Sequence, residues 1–358
     1  MRIEDDARVI ETDVRYESPD AALEYAGALR RVMGAAEIPQ PFPATLIVNN
    51  AGGVSLPRER ATARIVGTLI LGEGALQMDG RNLQISGAIV CTNGSIAPDP
   101  TRNLVIDGEG AIRGALTTAS VALGSLTLDR AGATLRLGSP LKIASRLTLG
   151  AGVIVSDSVR PLFVLNPASD AIVVSSATAF VSGPLAWKLS RETLEATRRF
   201  PVGIIRVAGA LRRSVVRRRD GAPLSNDAFA RVEAFLGAPP ASAPDSTLLR
   251  VESLGYWTIE LEGGVARGRA NVALPAPQAG VQNETTVGVR PKGETLFRRF
   301  PSERDGSVLR ADSVPIPSTL AFAAPMPPPI PVVRISEFSP TSGDAQTIVS
   351  VRGENFIG

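Results

Sequence analysis

The sequence predicts an all-β protein built around a β-solenoid, and three observations carry the prediction. Leu/Ile/Val triplets recur between Gly, Asn, Asp and Ser, one series starting at Leu83, Leu104, Leu126 and Leu147 with spacings of 21, 22 and 21 residues. An interleaved series, Leu69, Ile89, Ile112, Leu135 and Ile154, has spacings of 20, 23, 23 and 19. Two series sharing one period describe a coil that returns to the same face about every 21 residues. Aromatic residues make up only 4% of the chain, whereas Gly (34) and Pro (28) are plentiful, which suits many short strands closed by turns and disfavours a helical bundle.

The chain has 358 residues, 44% hydrophobic and 20% charged, enough for two or three folded domains with a sizeable core. A formal charge of +3, from 38 Lys+Arg against 35 Asp+Glu, gives no general pull towards nucleic acid or anionic lipid. The sequence contains no His, so Ser/His/Asp and Cys/His nucleophiles, His-ligated zinc and imidazole acid/base chemistry are excluded. Cys91 is the single cysteine. Lying after Ala88, Ile89 and Val90, it reads as a small buried hydrophobe rather than a reactive thiol. The N-terminal MRIEDDARVIETDV is too acidic and polar for a signal peptide, and no stretch reaches the roughly 18 apolar residues of a spanning helix, so no membrane insertion is expected.

Taken in order, residues 20–36 are rich in Ala and Leu, but Val14-Arg15-Tyr16 and Leu23-Glu24-Tyr25 read as short strands, each followed by turn-prone residues. Leu46 to Val48 is the first clear rung, closed by Asn49, Asn50, Gly52 and Gly53. In Leu126-Thr127-Leu128 and Leu147-Thr148-Leu149, alternation sends both leucines to one face and Thr to the other, as a narrow coil with an apolar interior requires. Gly67, Gly87, Gly108, Gly124, Gly138 and Gly150, with Asp79-Gly80, Asn93-Gly94 and Asp107-Gly108, mark the corners.

The order PFPATLIVNNAGGVSL, GTLILGEGALQMDGRNLQISGAI, NLVIDGEG, SLTLDRAGATLRLGSPLKIASRLTLGAG, FVSGPL and RRFPVG resembles the repetitive β-solenoid segments of large secreted surface proteins of Bacteroidetes and related bacteria, over roughly residues 23 to 205. The resemblance implies scaffolding, an extracellular or cell-surface location and export by a type IX route. It also implies a β-sandwich-like module after the coil, with a strand comparable to Tyr256-Trp257-Thr258-Ile259.

After Ser190 the pattern breaks, and strands are expected at Gly203 to Val207, Ser214 to Arg217, Thr247 to Glu252, Tyr256 to Glu262, Gly268 to Leu274, Thr285 to Val289, Thr295 to Phe297, Val308 to Arg310 and Leu320 to Phe322. Asp227 to Gly237 reads as a short inserted helix with Phe229, Val232 and Phe235 on one side, followed by a loop to Asp245. Five prolines among residues 325–331 suit a stiff extended spacer. Beyond it, VRISEFSPTSG followed by TIVSVRGENF resembles the opening of an IPT/TIG domain, an immunoglobulin-like fold. Only its first two strands would be present, so the expectation is that the natural protein continues past Gly358 or that the chain is a gene fragment. The expected organisation is a β-solenoid over 1–190, a β-sandwich-like module over 191–324, a Pro-rich linker over 325–331 and a partial Ig-like IPT/TIG domain over 332–358.

Polysaccharide lyases and hydrolases built on β-helices need carboxylates clustered on neighbouring rungs. Asp79, Asp107 and Asp129 are the candidates; they sit at strand ends where a turn role suffices, and the first step misses the coil period. The dense basic run holds Arg212, Arg213, Arg217, Arg218 and Arg219, a candidate grip for phosphate, sulfate or uronate. An edge strand or turn guarded by its charges is the plainer reading. Tyr256 and Trp257 alternate in facing, so that one enters the core and the other, if exposed, is a candidate to stack a sugar; core packing is the plainer reading. No P-loop, HExxH, CxxC or GxGxxG after a strand occurs. The expected function is a non-enzymatic structural or adhesive protein of the cell surface, without catalytic, cofactor or metal residues and without nucleic acid as partner. A surface glycan or another surface protein is the expected partner. The alternative is a surface protein that binds or processes polysaccharide.

Overall fold

The computed structural model describes residues 1–4, 15, 16, 18, 20–190, 198–203, 209–215, 228–263, 268–275, 285–305, 308–326, 334–339 and 350–354. Every regular element among them is a β-strand. The N-terminal half winds into a parallel β-solenoid of about eight turns.

Its first wall is a six-stranded parallel sheet: Arg2–Glu4, Ala22–Gly27, Thr45–Asn50, Leu69–Glu73, Ile89–Cys91 and Ile112–Arg113. The second wall stacks Arg31–Val32, Val54–Ser55, Ala75–Gln77, Ser95–Ala97 and Ala115–Thr118. The third begins with Thr62–Ile65, Asn82–Ile85 and Asn103–Asp107 and passes into two 15-residue strands, Leu123–Leu137 and Leu141–Val155. Along it Ala63, Leu83, Leu104, Leu126, Leu147 and Ile172 are direct partners. The four leucines are at most 1% exposed, so the series with the most even spacing is one inward column of apolar side chains.

The other series is two columns. Leu69, Ile89 and Ile112 pair along the first wall. Arg136, however, pairs with Ala115 of the second wall, which places the adjacent Leu135 there, paired in turn with Ile154. The first wall has ended by this point.

The corner entering the first wall is a stack of glycines. A Cβ on Gly87 would lie 1.7 Å from the carbonyl oxygen of Gly67, and one on Gly110 2.2 Å from the carbonyl carbon of Gly87. Successive coils thus touch backbone to backbone there, an approach only Gly permits.

At its C-terminal end the solenoid opens into antiparallel sheets. Leu185–Lys188 pairs in parallel with Leu162–Val164 and antiparallel with Phe229–Phe235, from which the sheet continues through Leu248–Glu262, Ser318–Pro325, Thr286–Pro291 and Arg298–Phe300. The second wall also leads on: Val181 bridges Val202 in parallel, just after Arg198–Phe200. That strand starts a five-stranded antiparallel sheet with Gly209–Val215, Gly268–Pro275, Val308–Ile316 and Ser302–Asp305. The solenoid leucines and Trp257, Ile259, Val272, Leu309 and Phe322 belong to one buried cluster.

The helix expected over 227–237 is instead the strand Phe229–Phe235. Ala230, Val232 and Ala234 alternate inward, and the strand is paired on both sides. Phe229 and Phe235 lie on the face opposite Val232. Two flanking strands and alternating burial outweigh the helix propensity of Ala. Leu23-Glu24-Tyr25 is a strand as read, whereas Arg15 and Tyr16 are not in one, and Val14 lies outside the described residues. At the C-terminus Arg334–Ser339 pairs antiparallel with Ser350–Glu354; the linker prolines after Pro325 lie outside the described residues.

Candidate functional site

Of the basic run, Arg212 and Arg213 lie on the strand Gly209–Val215, with Arg212 opposite Asn271 and a bulge before Ser214. Arg217, Arg218 and Arg219 lie outside the described residues. Trp257 is 2% exposed and meets Phe322 edge to face at 5.4 Å. Tyr256, half-buried on the opposite face, stacks on Phe235 at 4.6 Å with the rings 8° apart, so one face of its ring is covered by protein.

Asp107 and Asp129 are direct partners on adjacent coils. The Asp107 carboxylate accepts from Gln84 Nε2 at 2.6 Å and Ser86 Oγ at 2.5 Å; Asp129 is exposed. Asp79 stands at a corner with φ 47°, a left-handed conformation that Asp tolerates, and its carboxylate is 3.6 Å from Arg30. Among the described residues no group of three or more His, Cys, Asp or Glu is placed to hold a metal ion. Cys91 is 6% exposed, and burial pushes its thiol pKa up to about 11.

The sequence reading missed a cleft of about 760 Å³ at the end of the antiparallel sheets, where the chain crosses from Val308–Ile316 in one sheet to Ser318–Pro325 in the other. Pro315 and Pro317 of this crossover form one side, Pro291 and the turn through Gly293 the other, with Phe300 also lining it. The amide of Lys292 donates to the Pro317 carbonyl at 3.1 Å and that of Glu294 to Pro291 at 3.0 Å, which ties turn and crossover together. Three cations line the cleft: Arg269, Lys292 and Arg298. Arg298 pairs with Glu294, and Lys292 reaches Glu260 at 2.8 Å. Arg269 donates to the Ser313 carbonyl at 3.3 Å, and no carboxylate pairs with it among the described residues. A neighbouring cleft of about 560 Å³ balances Arg299 and Arg310 against Glu303 and Asp312. The larger cleft, with three cations to one lining carboxylate, is the more electropositive.

No single stretch of sequence announces this cleft, because its walls come from four strands and two turns between residues 269 and 317. The only local signal is proline spacing, in Pro315-Ile316-Pro317. Comparison with protein-family models, curated proteins and solved structures finds no match to the chain.

Proposed function

We propose that the chain is a non-enzymatic structural or adhesive protein of the cell surface, in which the solenoid is a rigid spacer and the antiparallel sheets, read as a β-sandwich with an IPT/TIG-like module beyond, carry the surfaces that meet partners. The observation behind this reading is continuity. Two solenoid walls pass by hydrogen-bonded pairing into the two antiparallel sheets, and one apolar cluster runs from Ile3 to Phe322. A coil rising about 4.8 Å per turn and packed without a break into its terminal sheets resists bending between them, which is the property a spacer needs. Export by a type IX route belongs to the same reading.

The test is made on cells. Antibodies against the chain are expected to label intact, unpermeabilised cells of the source organism, and loss of the gene to reduce attachment without slowing growth. An unlabelled surface, or attachment unchanged in the deletion strain, would refute the proposal.

A further inference from the structure

We propose that the cleft between the proline crossover and the Lys292 turn binds an anionic saccharide, a segment of uronate-bearing glycan. This goes beyond the spacer reading and does not depend on it.

The volume falls within the roughly 300–1,000 Å³ of small-molecule sites. Pro291, Pro315 and Pro317 have no N–H, so these parts of the wall offer C–H surface and carbonyls but no backbone donors. A peptide strand adding itself here would lack the ladder it needs, whereas a sugar ring can lie against pyrrolidine and phenyl faces. The side-chain donors lining the cleft are all cationic. Arg269 has a planar fork suited to a carboxylate and, among the described residues, no carboxylate paired with it. Lys292 and Arg298 already have acidic partners, which favours a ligand that brings its carboxylate chiefly to Arg269 and its hydroxyls to Glu294 and the carbonyls. The neighbouring cleft has a single proline, no aromatic wall and balanced charge, so it lacks this combination.

Calorimetric titration of the full chain with trigalacturonate, neutral galactotriose, sodium sulfate and a short poly-Glu peptide tests the proposal. Trigalacturonate is expected to bind, to weaken as salt rises from 50 to 500 mM, and to weaken at least about tenfold in Arg269→Ala and in Lys292→Glu. Both positions are exposed, so an unchanged thermal melt will show the variants folded. A second probe of the walls, Phe300→Leu, is expected to weaken trigalacturonate while leaving its salt dependence in place. Galactotriose, sulfate and peptide are expected to bind at least about tenfold more weakly. Absence of trigalacturonate binding, binding retained in both charge variants, or equal binding of sulfate, peptide or the neutral sugar would each overturn the assignment. None of these outcomes bears on attachment of cells lacking the gene, so the two proposals fail separately.

Discussion

The Nε of Arg130 donates to the main-chain carbonyl of Asp107 at 2.8 Å, while the Asp107 carboxylate is occupied by Gln84 and Ser86. The same guanidinium donates to the carbonyls of Ile85 at 3.0 Å and Gly87 at 2.9 Å, and to that of Gly110. These carbonyls belong to two successive coils, at the corner where the first wall stops after Ile112–Arg113. A side chain only 2% exposed thus closes the sheet where no further strand arrives, and burial lowers its pKa, with Asp107 opposing. Arg130→Met is expected to cost about 2–4 kcal/mol by leaving buried carbonyls unpaired. Arg130→Lys should cost nearly as much, since an ammonium lacks the planar fork. Urea denaturation of both variants checks this; a Lys variant as stable as the parent would contradict it.

The glycine corner gives a sharper contrast. Gly87→Ala places a methyl 1.7 Å from the Gly67 carbonyl oxygen, and coils held by pairing on both sides cannot separate locally, so a loss of about 3 kcal/mol or more is expected. Gly132 has φ 70° and open space around its Cα. Alanine there meets only the left-handed backbone penalty of about 1–2 kcal/mol. Denaturant midpoints of the two variants should differ in that order.

Near the N-terminus Glu37 accepts from Arg31 Nη2 at 2.7 Å, from the Tyr25 hydroxyl at 2.6 Å and from the Gly34 amide at 2.9 Å. Arg31 is 7% exposed and Glu37 3%, so each charge depends on the other. Glu37→Leu is expected to cost about 3–5 kcal/mol by removing the carboxylate that a buried guanidinium faces, and Arg31→Met with Glu37→Leu to recover part of that loss. A double-mutant cycle in chemical denaturation measures the coupling; additive single losses would show that the pair is not the unit described.

Stability should fall in alkali, starting near pH 9. Burial raises the Cys91 thiol from 9.0 to about 11. Burial first and the Glu37 charge second raise Tyr16 from 10.0 to about 12, and Tyr25 shifts the same way. Each is an acid whose neutral form the fold prefers. The unfolded chain therefore loses these protons first, and stability present below the unfolded pKa is lost as pH rises towards the folded one. Arg198, lowered to about 10 by burial, and Arg130, lowered likewise, act in the opposite sense, increasingly so as pH passes 10, so the fall is sought between pH 9 and 10. Melting temperatures across it should fall in the parent and flatten in Cys91→Ala; a parent curve that rises would refute the assignment.

What the sequence reveals here depends on how far apart the cooperating residues are. The column through Leu83, Leu104, Leu126 and Leu147 is legible because a regular period and Leu-Thr-Leu alternation fix both coil and facing. The split between Ile112 and Leu135 is not, since a period tells how often a face returns but not which of three walls it is. Phe229–Phe235 misleads because its inward face is two alanines and a valine, leaving the larger outward aromatics to set a false helical spacing. Arg130 reads as an ordinary corner charge beside Asp129, and only stacking brings carbonyls from two earlier coils around it. The cleft at Arg269 and Lys292 is assembled from strands far apart in the chain, so no local pattern marks it.

The junction between coil and sheets rests on Trp187. It pairs in parallel with Val164 and antiparallel with Ala230, is fully buried, donates its Nε1–H to the Asn166 carbonyl at 2.8 Å and meets Phe200 edge to face at 5.5 Å. Phe200 lies on the first strand of the other antiparallel sheet, so this indole touches both routes out of the solenoid. Trp187→Ala is expected to cost about 3–5 kcal/mol through transfer and cavity terms and, because that loss is concentrated at the junction, to split one unfolding transition into two. Hydrogen exchange should then show residues 229–325 opening ahead of residues 45–155, whereas Phe163→Ala, on the half-exposed outer side of the same wall, should leave them coupled. If both regions lose protection together in Trp187→Ala, the sheets do not depend on the coil as their template, and the continuity from which the spacer reading starts is structural without being energetic.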